Sequence, residues 1–136
     1  MGWAAVFGSL SAAAVTLYIA SIAWTIGYDT IYAHQDKEDD ALVGVGSTAL
    51  LFGARTRPIL TGFYAGAAAL LGLAAWAAGA GALSFLGVLG FAAHCAWQIA
   101  RLDIEDPALC LRLFKSNREA GALVFLGFCA DALLRI

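Results

Sequence analysis

Long stretches of this chain carry no charged side chain, and the polar positions gather between them. The first uncharged run covers residues 3–27. A helix of that length, at ~1.5 Å per residue, exceeds the ~30 Å hydrocarbon core of a bilayer, so it can span with tilt. Its Ser9, Ser11, Thr16, Ser21 and Thr25 suit contact with neighbouring helices better than contact with lipid. A second span is predicted over 59–79, with Pro58 at a favourable helix-starting position. A turn at 80–82 (AGA) leads into a third span over 83–100, and a fourth, shorter one covers 120–134. Residues 41–54 are apolar but too short to cross, and read as a half-buried or interfacial segment. The predicted fold class is therefore all-α: a polytopic membrane bundle of about four transmembrane helices.

Composition strengthens that reading. Apolar residues make up 62% of the chain and charged residues 13%, too few to form the polar shell of a soluble domain of this size. Mean hydropathy is +0.80. No basic patch interleaved with aromatics is present, which argues against a nucleic-acid partner. Cys95, Cys110 and Cys129 are widely spaced and read as small apolar fillers. The N-terminus lacks a basic region before its long apolar run, so the first helix is expected to stay in the mature protein.

Charge position sets orientation. Lys37, Arg55 and Arg57 lie in one charged loop, and Arg101, Arg112, Lys115 and Arg118 in another; the turn at 80–82 has no basic residue. Both charged loops are expected to be cytoplasmic in a bacterial inner (plasma) membrane, with both chain ends on the far side. Trp3, Trp24 and Tyr28 read as interfacial anchors. Gly62 and Gly66 form a GxxxG pattern, open between a close helix contact and chance in a Gly- and Ala-rich span. His94 and Gln98, one turn apart, read first as makers of an interhelical hydrogen bond.

Candidate chemistry concentrates in residues 28–40, YDTIYAHQDKEDD, which hold five of the chain's ten acidic residues. On a helix Asp29, Tyr32, Asp36 and Asp40 share one face, while His34 and Glu38 point the other way. A stripe of like charges repels itself; a divalent cation such as Mg²⁺, held by one or two carboxylates and completed by water and phosphate oxygens, would relieve that. The alternative is a solvated acidic loop between two membrane helices.

The string YDTIYAHQDKEDDALVG at 28–44, followed by STALLFG at 47–53, closely resembles the second aspartate-rich motif of the UbiA-type aromatic prenyltransferases. Trp97 to Arg101 and LRLFKSNREAG at 111–121 also resemble that family, within it the bacterial subgroup acting on 4-hydroxybenzoate. The likeness covers residues 1–136 but only the C-terminal half of the family's fold, and Met1 resembles an internal position of the family's longer chains. The family's other motif, NDxxDxxxD, is not in this sequence.

The resemblance implies a membrane-embedded transferase in ubiquinone synthesis. It would move a polyprenyl group from polyprenyl diphosphate to 4-hydroxybenzoate, with Mg²⁺ as cofactor. It implies that Asp36 and Asp40 are the metal-binding DxxxD, with Asp29 and Tyr32 at neighbouring catalytic-motif positions. Arg55, Arg57, Asn117 and Arg118 are candidates for substrate binding, the last two from a loop that could cap the site. Gly46 stands where many relatives carry a basic residue. The expected partners are the two substrates, the lipid bilayer, and a missing N-terminal half or a second copy, without which the chain is expected to be inactive. Alternatives left open are a different aromatic or haem acceptor, and a non-catalytic membrane fragment or subunit.

Overall fold

The computed structural model describes residues 11–43 and 53–135; for 35–43 it describes the backbone alone. Among the described residues there are four α-helices and no strand: α1 (Ala12–Val43), α2 (Thr56–Ala77, preceded by the 3-10 turn Gly53–Arg55), α3 (Ala82–Arg101) and α4 (Pro107–Leu134).

Each helix has a local cause. Ser11 precedes α1, and its hydroxyl accepts the Ala14 N–H at 3.2 Å. The α2–α3 turn passes through Gly79 at φ +68°, a left-handed conformation that glycine adopts without Cβ strain. The backbone N–H of Gly81, at the start of α3, donates to Asp131 Oδ2 of α4 at 2.8 Å. Asp106 caps α4 by accepting the Leu109 N–H at 3.1 Å, and Pro107 occupies the first turn.

α2 and α3 agree with the second and third predicted spans to within three residues at each end. They are also the two described helices long and apolar enough to cross a membrane by length and composition. α4 differs: it begins at Pro107, thirteen residues before the predicted 120–134, so Arg112, Lys115, Asn117 and Arg118 lie on a helix rather than in a loop. α1 continues unbroken to Val43 and takes the acidic segment with it. Its 32 residues make ~48 Å of helix, more than a ~30 Å hydrocarbon core can contain, so one end must project.

The helices close into a ring in which α1 packs on α2 and α4, and α3 on the same two. Ile31, Leu60, Tyr64, Leu71, Phe91, Cys95 and Leu113 fill its centre. α3 and α4 cross at close range: a Cβ added to Gly127 would lie 2.8 Å from the Gly87 Cα. Gly62 and Gly66 have nothing within 4 Å of an added Cβ, so the GxxxG pattern makes no close contact among the described residues. The hydroxyls expected to face other helices turn inward on α1 itself: Thr16, Ser21 and Thr25 each donate to the carbonyl four residues back, at 2.6, 2.9 and 2.8 Å. Cys95 and Cys110 are buried free thiols, as their reading as fillers requires.

The outside of the ring is apolar. Trp76, Leu86, Leu89, Phe125 and Leu126 are each 60% exposed or more. Such a surface is costly in water, but hydrocarbon solvates it without penalty.

Candidate functional site

The acidic segment occupies the far end of α1, and its register fixes what lies beside it. Gly27, Thr30, Ile31 and His34 are buried. They form the face of α1 that meets α2, where His34 Nε2 and Thr56 Oγ1 lie 2.7 Å apart. Asp29 is exposed, roughly opposite that face. Because the helix is continuous, positions 36 and 40 follow Asp29 and Tyr32 on the same side, one turn apart from each other. The side chains of Asp36 and Asp40, and all of Gly46, lie outside the described residues. Among the described residues no group of three or more metal-ligating side chains comes together.

A ladder of aromatic residues leads down from the motif. Tyr32 and Tyr28 meet Phe114 of α4, with ring centroids 4.7 and 5.8 Å apart. Trp24 stands edge-on to Tyr28 at 5.2 Å and to Phe91 of α3 at 5.5 Å. Trp24 and Tyr28, expected as interfacial anchors, are thus partly buried in the α1–α4 seam. Trp3 lies outside the described residues.

Two cavities open along that seam. The one nearer the acidic segment, about 300 Å³, is lined by Trp24, Tyr28, Phe114, Lys115, Asn117 and Arg118. Asn117 and Arg118 therefore meet, with Lys115 beside them, a cation that the sequence reading used only for orientation. Arg118 is well exposed and stands 3.5 Å from Glu119. The second cavity, about 310 Å³, runs toward the other end of the bundle between apolar residues that include Leu17, Leu71, Phe91, Val124 and Phe128.

Arg55 and Arg57 do not line either cavity. Arg55 is exposed at the start of α2. Arg57 Nη2 donates to the Leu102 carbonyl at 2.6 Å, tying the start of α2 to the end of α3. That carbonyl sits at a helix C-terminus, where a cation is favoured.

Beneath the first cavity, one side chain from each helix joins a buried polar network. Asn117 Oδ1 accepts from Trp24 Nε1 at 2.9 Å and from Gln98 Nε2 at 3.0 Å. Gln98 Oε1 accepts from the Tyr64 hydroxyl at 2.7 Å. Asn117 Nδ2 reaches Gln98 Oε1 at 3.3 Å and the Leu113 carbonyl at 3.2 Å. Four polar groups are satisfied together, as buried polar atoms require. Of these, the sequence marked Gln98 as an interhelical partner, and so it is. His94 is another: its Nε2 lies 2.9 Å from the Ser116 carbonyl of α4.

Residues 1–128 match the UbiA prenyltransferase family. The chain is 43% identical over 99% of its length to the Drosophila melanogaster protein named 4-hydroxybenzoate polyprenyltransferase, mitochondrial, covering 35% of that protein. The mouse protein of the same name is 47% identical over 99% of this chain and 36% of its own. For the Arabidopsis thaliana protein the figures are 44%, 93% and 31%. The chain thus spans about a third of the length of these relatives. No solved structure matches it significantly.

The relatives correct one expectation. They are named as mitochondrial and come from animals and a plant, so the assignment to a bacterial inner membrane, with cytoplasmic loops, does not stand. The physical reason is plain: an asymmetry of basic residues separates the two sides of a membrane, but it does not say which membrane.

Proposed function

Because the chain belongs to the UbiA prenyltransferase family, we propose that it forms part of an enzyme transferring a polyprenyl group from polyprenyl diphosphate to 4-hydroxybenzoate, in ubiquinone biosynthesis. The relatives' names carry the substrates, and point to a mitochondrial membrane. The observation that carries the reading is the order of features along the α1–α4 seam. The DxxxD positions 36 and 40 stand above Tyr32, Tyr28 and Trp24, the cationic cleft follows, and the apolar cavity lies below. A substrate with an anionic head and an isoprenoid tail has the same order of chemistry.

The helix places positions 36 and 40 one turn apart on a side of α1 away from α2, so two hard carboxylate donors on one face fit Mg²⁺. Bound there, Mg²⁺ supplies charge neutralisation for the departing diphosphate. Asp36 and Asp40 would hold it, with Asp29 and Tyr32 flanking. Lys115 and Arg118 offer cationic donors to diphosphate or to the carboxylate of the aromatic acceptor. The apolar cavity takes the first isoprene units and keeps water from them.

The test is to express the protein in cells lacking their own 4-hydroxybenzoate prenyltransferase and to assay membranes for prenylated 4-hydroxybenzoate, with and without a co-expressed N-terminal half from a relative. Product that depends on both Asp36 and Asp40 supports the reading. Absence of product in every combination rejects it.

A further inference from the structure

Among the described residues, Trp24 alone lines both cavities of the α1–α4 seam. Its ring is held from two sides by residues one turn apart on α4. Asn117 accepts its Nε1–H at 2.9 Å, and Asn117 is itself fixed by Gln98, which is fixed by Tyr64. Gly121 receives the other edge of the indole: a Cβ at that position would come within 3.1 Å of Trp24 Cη2 and 3.8 Å of Cζ2. Phe91 closes on the ring from α3, edge-on at 5.5 Å. An indole with its polar edge hydrogen-bonded and its apolar edge seated on a glycine has little freedom to turn.

The position of this ring matters because of what changes across it. On one side the cavity carries Lys115, Asn117 and Arg118; on the other it is lined by Leu17, Leu71, Val124 and Phe128. We infer that Trp24 is a specificity-determining partition between the polar and apolar cavities, positioned by Asn117 and Gly121, and that it sets how isoprenoid chains of different length are discriminated. This inference rests on the reading of the apolar cavity as the tail site. An isoprenoid whose diphosphate lies in the polar cleft must pass the indole to reach the apolar space. A short chain ends near the ring, whereas a longer one must thread beyond it.

Gly121 and Trp24 should therefore act with opposite sign. Gly121→Ala adds a methyl to the wall of the apolar cavity and presses the indole, narrowing the passage. Trp24→Phe removes one ring and the bond to Asn117, widening it. Neither change touches the cationic residues.

The experiment measures binding to the full protein in nanodiscs, with Trp3, Trp76 and Trp97 replaced by Phe so that Trp24 is the reporting fluorophore. Geranyl diphosphate, geranylgeranyl diphosphate and inorganic diphosphate are the probes; Trp24→Phe is read by competition with a fluorescent prenyl diphosphate. Gly121→Ala is expected to lower the ratio of geranylgeranyl to geranyl affinity by about tenfold, the scale of one methyl-sized change in an apolar pocket. Trp24→Phe is expected to raise the same ratio, and inorganic diphosphate affinity to stay unchanged in Gly121→Ala, which lines the apolar cavity alone. A purely structural role for Trp24 would weaken all probes together, leave the ratio alone, and overturn the proposal while the tail-site reading stands. If geranylgeranyl diphosphate binds the parent protein no more tightly than inorganic diphosphate does, the tail-site reading itself fails, and the partition with it.

Discussion

His34 of α1 and Thr56 at the start of α2 meet in a buried contact of 2.7 Å between Nε2 and Oγ1. It lies about one and two-thirds turns before position 40, roughly on the opposite side of the helix from the acidic face. Packing this face onto α2 leaves backbone positions 36 and 40 on the side of α1 away from α2. Thr56→Val keeps the shape of the side chain but takes a partner from a buried imidazole. The expected cost is about 1–3 kcal/mol, read as a lower midpoint of thermal unfolding in detergent. Thr56→Ser, which keeps the hydroxyl, should recover most of it. Equal losses from both variants would show that packing, and not the hydrogen bond, is what matters.

The glycines of α2 and α3 should respond oppositely to alanine. At Gly87 a Cβ would sit 2.8 Å from the Leu123 carbonyl oxygen and 3.1 Å from the Gly127 Cα, both backbone atoms that cannot swing aside. Gly87→Ala should therefore destabilise by about 1–3 kcal/mol through forced separation of α3 and α4. At Gly62 the added methyl meets nothing within 4 Å. There the substitution removes a poor helix former and should stabilise by up to about 1 kcal/mol. The check is a paired unfolding measurement in one detergent, and matching signs would contradict the crossing.

These glycines show what the sequence could and could not reveal. The spans that became α2 and α3 were legible because lipid tolerates no unpaired charge, and an uncharged run marks its own ends. The GxxxG motif was equally visible, yet the crossing uses Gly87 and Gly127, forty residues apart in the chain. No local spacing encodes such a pair. The start of α4 was hidden by Arg112, Lys115 and Arg118, which read as loop, although Asp106-Pro107 is an ordinary helix-starting signal. The DxxxD register was legible because it is local to one helix. The network of Trp24, Tyr64, Gln98 and Asn117 was not, since each helix contributes one member and only burial joins them.

At the opposite end of the bundle, Asp131 of α4 accepts the Gly81 N–H at 2.8 Å, and Arg135 stands 3.8 Å from its carboxylate while also reaching the Gly79 carbonyl. One acidic side chain thus holds the first free N–H of α3. Asp131→Ala should cost about 0.5–2 kcal/mol, the range for loss of a helix cap. Hydrogen exchange is the sharper measurement, because the first turn of α3 should lose protection while the middle of α2 keeps its own. Uniform loss along both helices would mean that Asp131 supports the whole bundle rather than the cap.

The last prediction separates face from charge in the acidic segment. Positions 36, 38 and 40 all lie on the continuous helix α1, so a solvated acidic loop is no longer needed to explain them. Asp36 and Asp40 are one turn apart, whereas Glu38 falls roughly opposite, on the side that carries His34. If the segment worked only by summed negative charge, neutralising any one of the three would have the same effect. If two carboxylates share one Mg²⁺, losing either should lower turnover by about 10²-fold or more, the scale of losing one electrostatic stabiliser. Glu38→Gln should then change it by less than about threefold, because position 38 is off the face that positions 36 and 40 share. The measurement is turnover in membranes of an active assembly, across a Mg²⁺ titration. Asp36→Asn and Asp40→Asn should also shift the half-saturating Mg²⁺ concentration upward, and Glu38→Gln should not. Equal losses from the three substitutions, with no shift in Mg²⁺ dependence, would return the segment to a generic acidic surface and remove the assignment of Asp36 and Asp40 as ligands.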